Sequence, residues 1–161
     1  MCLLVDLTSL ILQEKDFELD SKSFDEELDK QKDRSMWIIL IIITSQQDDR
    51  IIARAHNQVE RLNDVTAHAE MLAITSAANY LGGKYLENCT MYVTMEPCQM
   101  CAGALYWSRI SKIYYGAEDP KRGFTALGNL MHPKTKIYKG VLEHECKELL
   151  DKFFISRRNL N

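Results

Sequence analysis

His68 and Glu70 stand in Thr66-Ala67-His68-Ala69-Glu70, and Cys98 and Cys101 in Pro97-Cys98-Gln99-Met100-Cys101. An imidazole and two thiolates supply three corners of a zinc tetrahedron and leave the fourth to water, whereas a structural zinc is closed by four protein ligands. A glutamate beside an open corner points to hydrolysis, with Glu70 as the base that takes the proton water gives up. Two thiolates neutralise the ion's formal charge and weaken it as a Lewis acid, which makes a neighbouring base more necessary. Geometry sets conditions on this reading. Cys98 and Cys101 are three apart in a first helical turn, so their sulfurs project to one side, and a helix N-terminus favours both as thiolates. His68 and Glu70 lie about 200° apart around an ideal helix, so they converge only if His68 sits at the frayed first turn. Taken alone, Cys-x-x-Cys fits a redox pair or half of a structural zinc site as well, and His-x-Glu carries almost no information. The combination, in this order and with proline before the first cysteine, specifies a catalytic-type zinc site. Cys2, Cys89 and Cys146 read as small core or surface residues, and His56, His132 and His144 as non-ligands.

The elements that must carry these residues follow from pattern. Met36 to Thr44 is continuous and β-branched, as a strand covered on both faces would be; Gln46 to Asp49 is a polar turn, and Arg50 to Ala55 returns as the second arm of a hairpin. Ala67 to Leu81 reads as a helix stopped by Gly82-Gly83. Thr90 to Thr94 is a strand, and Pro97 is expected at the first position of a helix running to about Arg109. Ile113 to Gly116 and Ile137 to Val141 are short strands, separated by a loop-rich stretch from Gly116 to Pro133. Glu143 to Asn159 is the closing helix, with Cys146, Leu149, Leu150 and Phe153 at core spacing. Alternation of strands and helices predicts a three-layer α/β/α domain.

At 161 residues with 46% apolar content, the chain suits one globular domain with a real core. Five cysteines, two of them at metal spacing, form no disulfide framework, and a reducing cytoplasm is expected. The longest apolar run, Met36 to Ile43, is far short of the ~20 residues of a spanning helix, so no membrane association is expected. Met1 to Leu12 is apolar but carries Asp6 and lacks a basic lead and a small-residue cleavage site, so it reads as a helix face and not a signal peptide. The net charge of −3 is unevenly spread: residues 1–35 hold ten acidic and five basic residues, leaving +2 for the remainder. Residues 131–161 carry seven Lys or Arg against four Asp or Glu, a basic end suited to phosphates or, more blandly, an ordinary solvated helix face.

His-x-Glu followed by Pro-Cys-x-x-Cys is the pattern of zinc-dependent nucleobase deaminases. From Arg50 onward the chain resembles the bacterial tRNA-specific adenosine deaminases, which convert the wobble adenosine of an anticodon to inosine. The resemblance rests on Ala55-His56-Asn57, on Leu86 through Pro97, on Gly116-Ala117-Glu118-Asp119-Pro120-Lys121-Arg122-Gly123, on His132-Pro133-Lys134 and on Phe153-Phe154-Ile155-Ser156-Arg157-Arg158. It implies a cytidine-deaminase-like domain with a five-stranded mixed sheet, one zinc per subunit on His68, Cys98 and Cys101, and Glu70 as proton shuttle. It further implies that Asn57 hydrogen-bonds the flipped base and that Asp119, Lys121, Phe154, Arg157 and Arg158 line the anticodon-loop surface of a homodimer. Arginines for phosphates and an aromatic ring for an unstacked base suit single-stranded RNA, although core packing is the ordinary fate of one of Phe153 and Phe154. On this basis residues 1–35 form an atypical N-terminal helical segment and residues 36–161 the deaminase core, together a single domain.

The chain departs from the family at one place. Members carry a Pro-Val-Gly-Ala segment entering the first strand, where this chain has Lys32-Asp33-Arg34-Ser35-Met36-Trp37-Ile38-Ile39. Bulky residues there would narrow the base pocket, shift the strand register or lower activity. Two rival readings stand: a deaminase of free bases or nucleosides, such as guanine deaminase, which shares the His-Ala-Glu and Pro-Cys-x-x-Cys pattern, and, because of this departure, a zinc-stabilised tRNA-binding homologue with impaired catalysis. Tyr106 and Trp107 are candidates for the dimer contact or for the core.

Overall fold

The sequence Leu40-Ile41-Ile42-Ile43-Thr44-Ser45 forms the first described strand, one place in from the edge of the sheet. The computed structural model describes residues 40–46, 50–128 and 130–158, with residues 40 and 156–158 described by backbone alone. The expected N-terminal helical segment and residues 36–39 of the expected first strand lie outside these. In chain order the elements are β1 (Leu40–Ser45), β2 (Ile51–His56), α1 (Val59–Leu62), α2 (Ala69–Leu81), β3 (Cys89–Met95), α3 (Gln99–Ser108), β4 (Lys112–Ala117), a 3-10 turn (Phe124–Leu127), β5 (Lys136–Lys139) and α4 (Glu143–Arg158).

The sheet order is β2-β1-β3-β4-β5. β1 runs antiparallel to both β2 and β3, while β3, β4 and β5 are parallel. The hairpin between β1 and β2 is closed by Ser45 N–H donating to the Arg50 carbonyl at 2.8 Å. The parallel pair β3–β4 needs a crossover, which α3 supplies.

Strand alternation sorts the side chains into two faces. Ile41, Ile43, Met91, Val93, Ile113 and Tyr115 point one way and are buried in one apolar cluster with Ala69, Ala73, Ala77, Ala102 and Leu105 of α2 and α3. Ala69, Ala73 and Ala77 recur every four residues, so α2 lays a stripe without bulk against the sheet and approaches it closely. Each large aliphatic residue buried here contributes about 1.5–3 kcal/mol. On the opposite face Tyr92, Tyr114 and Tyr138 are register partners across β3, β4 and β5. Their rings stack with centroids 5.1 and 4.4 Å apart. Gly116 faces the same side, against Cys146 of α4, and Cys146 and Leu150 form a second cluster with Ala117. The result is a five-stranded mixed sheet between α2 and α3 on one side and α4 on the other, the predicted three-layer domain.

Boundaries moved more than identities. Pro97 is not the first helical residue: Cys98 is the N-cap, in extended geometry, and α3 begins at Gln99. Cys98 takes the cap because Ala102 N–H already donates to its carbonyl at 2.8 Å, which leaves the proline in the short link between the end of β3 at Met95 and α3. The last strand stops at Lys139, where Gly140 (φ 76°) and Leu142 (φ 52°) turn the chain into α4 through the left-handed region. α1 and the 3-10 turn had no periodicity long enough to announce them.

Candidate metal centre

Ligands in sheets of this kind bind beyond the carboxyl ends of the parallel strands. Here the carboxyl end of β3 leads through Glu96 and Pro97 into the amino end of α3, and the carboxyl end of β4 leads into the loop over residues 118–123. The amino end of α2 meets them. His68 is the N-cap of α2, with φ −66° and ψ 150°, so it lies outside the helical geometry while Glu70 lies in the first turn. That is the arrangement the two-residue spacing requires for both to reach one point.

His68 Nδ1 stands 3.6 Å from Cys98 Sγ and 3.5 Å from Cys101 Sγ. The three donor atoms all lie within 4.8 Å of one another. Zinc bonds of ~2.3 Å to sulfur and ~2.0–2.1 Å to nitrogen, opened to a tetrahedral angle, separate the two donors by roughly 3.6 Å. The two nitrogen-to-sulfur edges therefore already have the length a zinc tetrahedron requires. A hydrogen bond between the two thiol groups draws the pKa of Cys98 down to about 5, and the same bond together with burial holds Cys101 above the ordinary thiol range. A divalent ion takes both as thiolates.

Glu70 is only 4% exposed. Burial raises its carboxyl above the usual carboxylate range, against the opposing influence of its own backbone amide and of His68. Its Oε2 is buried without a hydrogen-bond partner. A desolvated carboxylate oxygen left unpaired costs free energy unless something is meant to occupy it, and a metal-activated water is the group it suits.

The other expected residues are less uniformly placed. Asn57 is half-buried just after β2, and its Oδ1 accepts from Val59 N–H at 3.0 Å, so its NH₂ is the group left to read a base. Asp119 is half-buried, and its Oδ1 accepts from Lys121 N–H at 3.0 Å and Arg122 N–H at 3.1 Å; its carboxylate folds its own loop. Lys121 is exposed on that loop. Phe154 is 47% exposed and meets Phe153 edge-on at 5.3 Å. Phe153 is half-buried and packs against the second cluster. Arg157 and Arg158 occupy the last turn of α4. On α3, Tyr106 is 36% exposed and Trp107 77%, which puts the indole outside the core.

Glu96 was missed. It lies between the strand and the cysteines, and no spacing rule marks a carboxylate whose backbone partners are more than twenty residues away. Only its position, directly before Pro97-Cys98, could have drawn notice.

Fold and donor set together define a zinc-dependent nucleobase deaminase. A family model described as the cytidine and deoxycytidylate deaminase zinc-binding region matches residues 18–117. The tRNA-specific adenosine deaminase of Agrobacterium fabrum (strain C58) is 44% identical over 117 residues, covering 69% of this chain and 77% of its own. That of Bacillus subtilis (strain 168) is 48% identical over 110 residues, covering 65% and 68%. A solved structure from a study of A-to-I editing by tRNA:A34 deaminases at the wobble position aligns with a TM-score of 0.62 at 41% identity, covering 69% of this chain and 83% of that one. The chain belongs to the tRNA-specific adenosine deaminases within the cytidine and deoxycytidylate deaminase family. It is a zinc-dependent hydrolytic deaminase.

Proposed function

We propose that this chain converts adenosine to inosine at the wobble position of a tRNA anticodon, releasing ammonia. The observation that carries the reading is the pairing of a three-donor set at zinc spacing with the orphaned Oε2 of Glu70. Zinc held by His68, Cys98 and Cys101 supplies the Lewis acidity that makes water nucleophilic near neutral pH. Glu70 receives the proton that water loses and returns it to the adenine ring nitrogen, and a second transfer through the same carboxylate lets the amino group leave as ammonia. A carboxyl raised by burial is suited to both directions of that transfer, because its affinity for a proton is brought nearer to working pH.

Recognition falls to residues around the rim. The Asn57 NH₂ donates to the extruded base. Lys121, Arg157 and Arg158 meet phosphates, and the exposed ring of Phe154 stacks on an unstacked neighbour. Asp119 serves by shaping the loop that carries Lys121. The same reading makes the protein a cytoplasmic homodimer. Among the described residues no helix is long and apolar enough to cross a membrane. It also treats residues 1–35 as a lead-in to the core over residues 36–161, a division compatible with one domain because the family match begins at residue 18.

The test is adenosine-to-inosine conversion in an anticodon stem-loop, with ammonia measured alongside, before and after a chelator. Conversion that stops on chelation and returns with zinc is the expected result. Zinc and RNA binding without any ammonia release would end this reading.

A further inference from the structure

We propose that Glu96 is a positioning residue: its buried carboxylate fixes the Asp119–Thr125 loop against the Cys98 edge of the metal centre, and so sets where that loop meets RNA. The inference rests on the functional reading above for its RNA consequence, though not for its structural core.

Glu96 is 4% exposed, one residue beyond the end of β3. Its Oε2 accepts from Asp119 N–H at 3.0 Å, and its Oε1 accepts from Thr125 N–H at 2.9 Å and from the Thr125 hydroxyl at 2.7 Å. One carboxylate thus grips both ends of the loop. Charge-assisted bonds of this kind are about twice as strong as neutral ones, and in a buried setting they are little weakened by water. The grip is reinforced by backbone pairing on both sides of it. Glu96 N–H donates to the Ala117 carbonyl at 2.8 Å, Phe124 N–H donates to the Pro97 carbonyl at 3.0 Å, and Cys98 forms a β-bridge with Gly123. The loop is therefore bound to the backbone of a metal-ligating residue, and a shift of one moves the other.

Gly123 shows how closely the carboxylate and loop are fitted. Its φ of −60° is open to any residue, so the glycine is not there for backbone freedom. A Cβ at this position would lie 2.3–2.5 Å from the Glu96 carboxyl atoms, closer than any contact tolerates. Glycine clears the path by which Glu96 reaches across to Asp119 and Thr125.

Glu96→Gln makes a specific demand. Its one carbonyl oxygen can keep the two Thr125 donors, but its NH₂ then faces the Asp119 N–H, donor against donor. The expected result is one zinc retained per chain and amide exchange at Asp119 faster by about tenfold or more, with Thr125 changed less. KM for the anticodon stem-loop should rise by about tenfold while kcat changes by a smaller factor. Glu96→Asp, which keeps the charge but shortens the reach, should not restore KM. Unchanged exchange at Asp119, or loss of zinc together with uniformly faster exchange throughout the chain, would overturn the proposal. Should Glu96→Gln fail to fold, Thr125→Val removes only the hydroxyl contact: faster exchange at Thr125 with a raised KM supports the assignment, and unchanged exchange at Thr125 overturns it. If the unaltered protein leaves the stem-loop unconverted, the functional reading fails while exchange at Asp119 still decides the role of Glu96.

Discussion

A carboxylate with an unpaired oxygen in a dry corner is an expensive thing to keep, and Glu70 is such a group. Glu70→Gln keeps the shape and removes the proton carrier, so kcat should fall by about 10²–10⁴-fold with zinc content unchanged. Full-rate turnover by that variant would remove Glu70 from the chemistry. Cys101 tests the other half of the site. It is fully buried, and Cys101→Ser replaces a soft thiolate with a poor zinc ligand, so metal analysis should find well under one zinc per chain. At this scale much was visible beforehand. His68, Glu70, Cys98 and Cys101 are legible because metal chemistry demands particular residue types at particular spacings, and the requirement that His68 lie at the start of its helix is met by its place at the N-cap. The engagement of Asn57 by Val59 and the inward turn of the Asp119 carboxylate are not legible, since both depend on loop geometry that no short motif encodes.

At the scale of elements the sheet and its helices follow from alternation and from the alanine stripe of α2, but the close contacts between elements do not. Gly116 is the clearest case. Its sequence context reads as a strand end entering a loop, whereas a Cβ there would lie 2.3 Å from Cys146 Sγ and 2.9 Å from the Thr94 carbonyl. Gly116→Ala should therefore push α4 off the sheet and cost about 1–3 kcal/mol in a thermal or denaturant melt. Adding Cys146→Ala should recover only part of that, because the Thr94 carbonyl is fixed in the backbone. The far end of α4 carries the second prediction of this kind. Arg157→Ala with Arg158→Ala should weaken stem-loop binding and reduce the slope of log affinity against log salt by about one and a half to two. Binding with an unaltered salt slope would take both arginines off the RNA surface. Proline misled the boundary of α3 because Pro97 is acceptable just before an N-cap as well as just after one, and only the hydrogen bonds at Cys98 tell the two apart.

For the molecule as a whole, His56 should make stability depend on pH. This ring is buried at the end of β2, and its pKa is lowered first by burial and then by the positive charge of Arg61. Folding thus favours the neutral ring, while the unfolded chain protonates near the ordinary histidine value of ~6.5. The stabilising contribution is complete above that pH and is lost progressively as pH falls below it. Melting temperature should drop on acidification through this range, and the drop should be shallower in His56→Gln. An identical pH profile in the variant would show that another group governs it.

Trp107 lies 77% open to solvent on the outer side of α3, and the chain has just one other tryptophan, Trp37. An indole so placed emits as it would in water whether or not the core beneath it is intact, so its fluorescence is a poor gauge of unfolding. It is, by the same token, a built-in optical probe of anything that comes to rest on that helix. With Trp37→Phe leaving it the sole emitter, a blue shift of its emission with rising protein concentration would record the meeting of two subunits there without any label being attached.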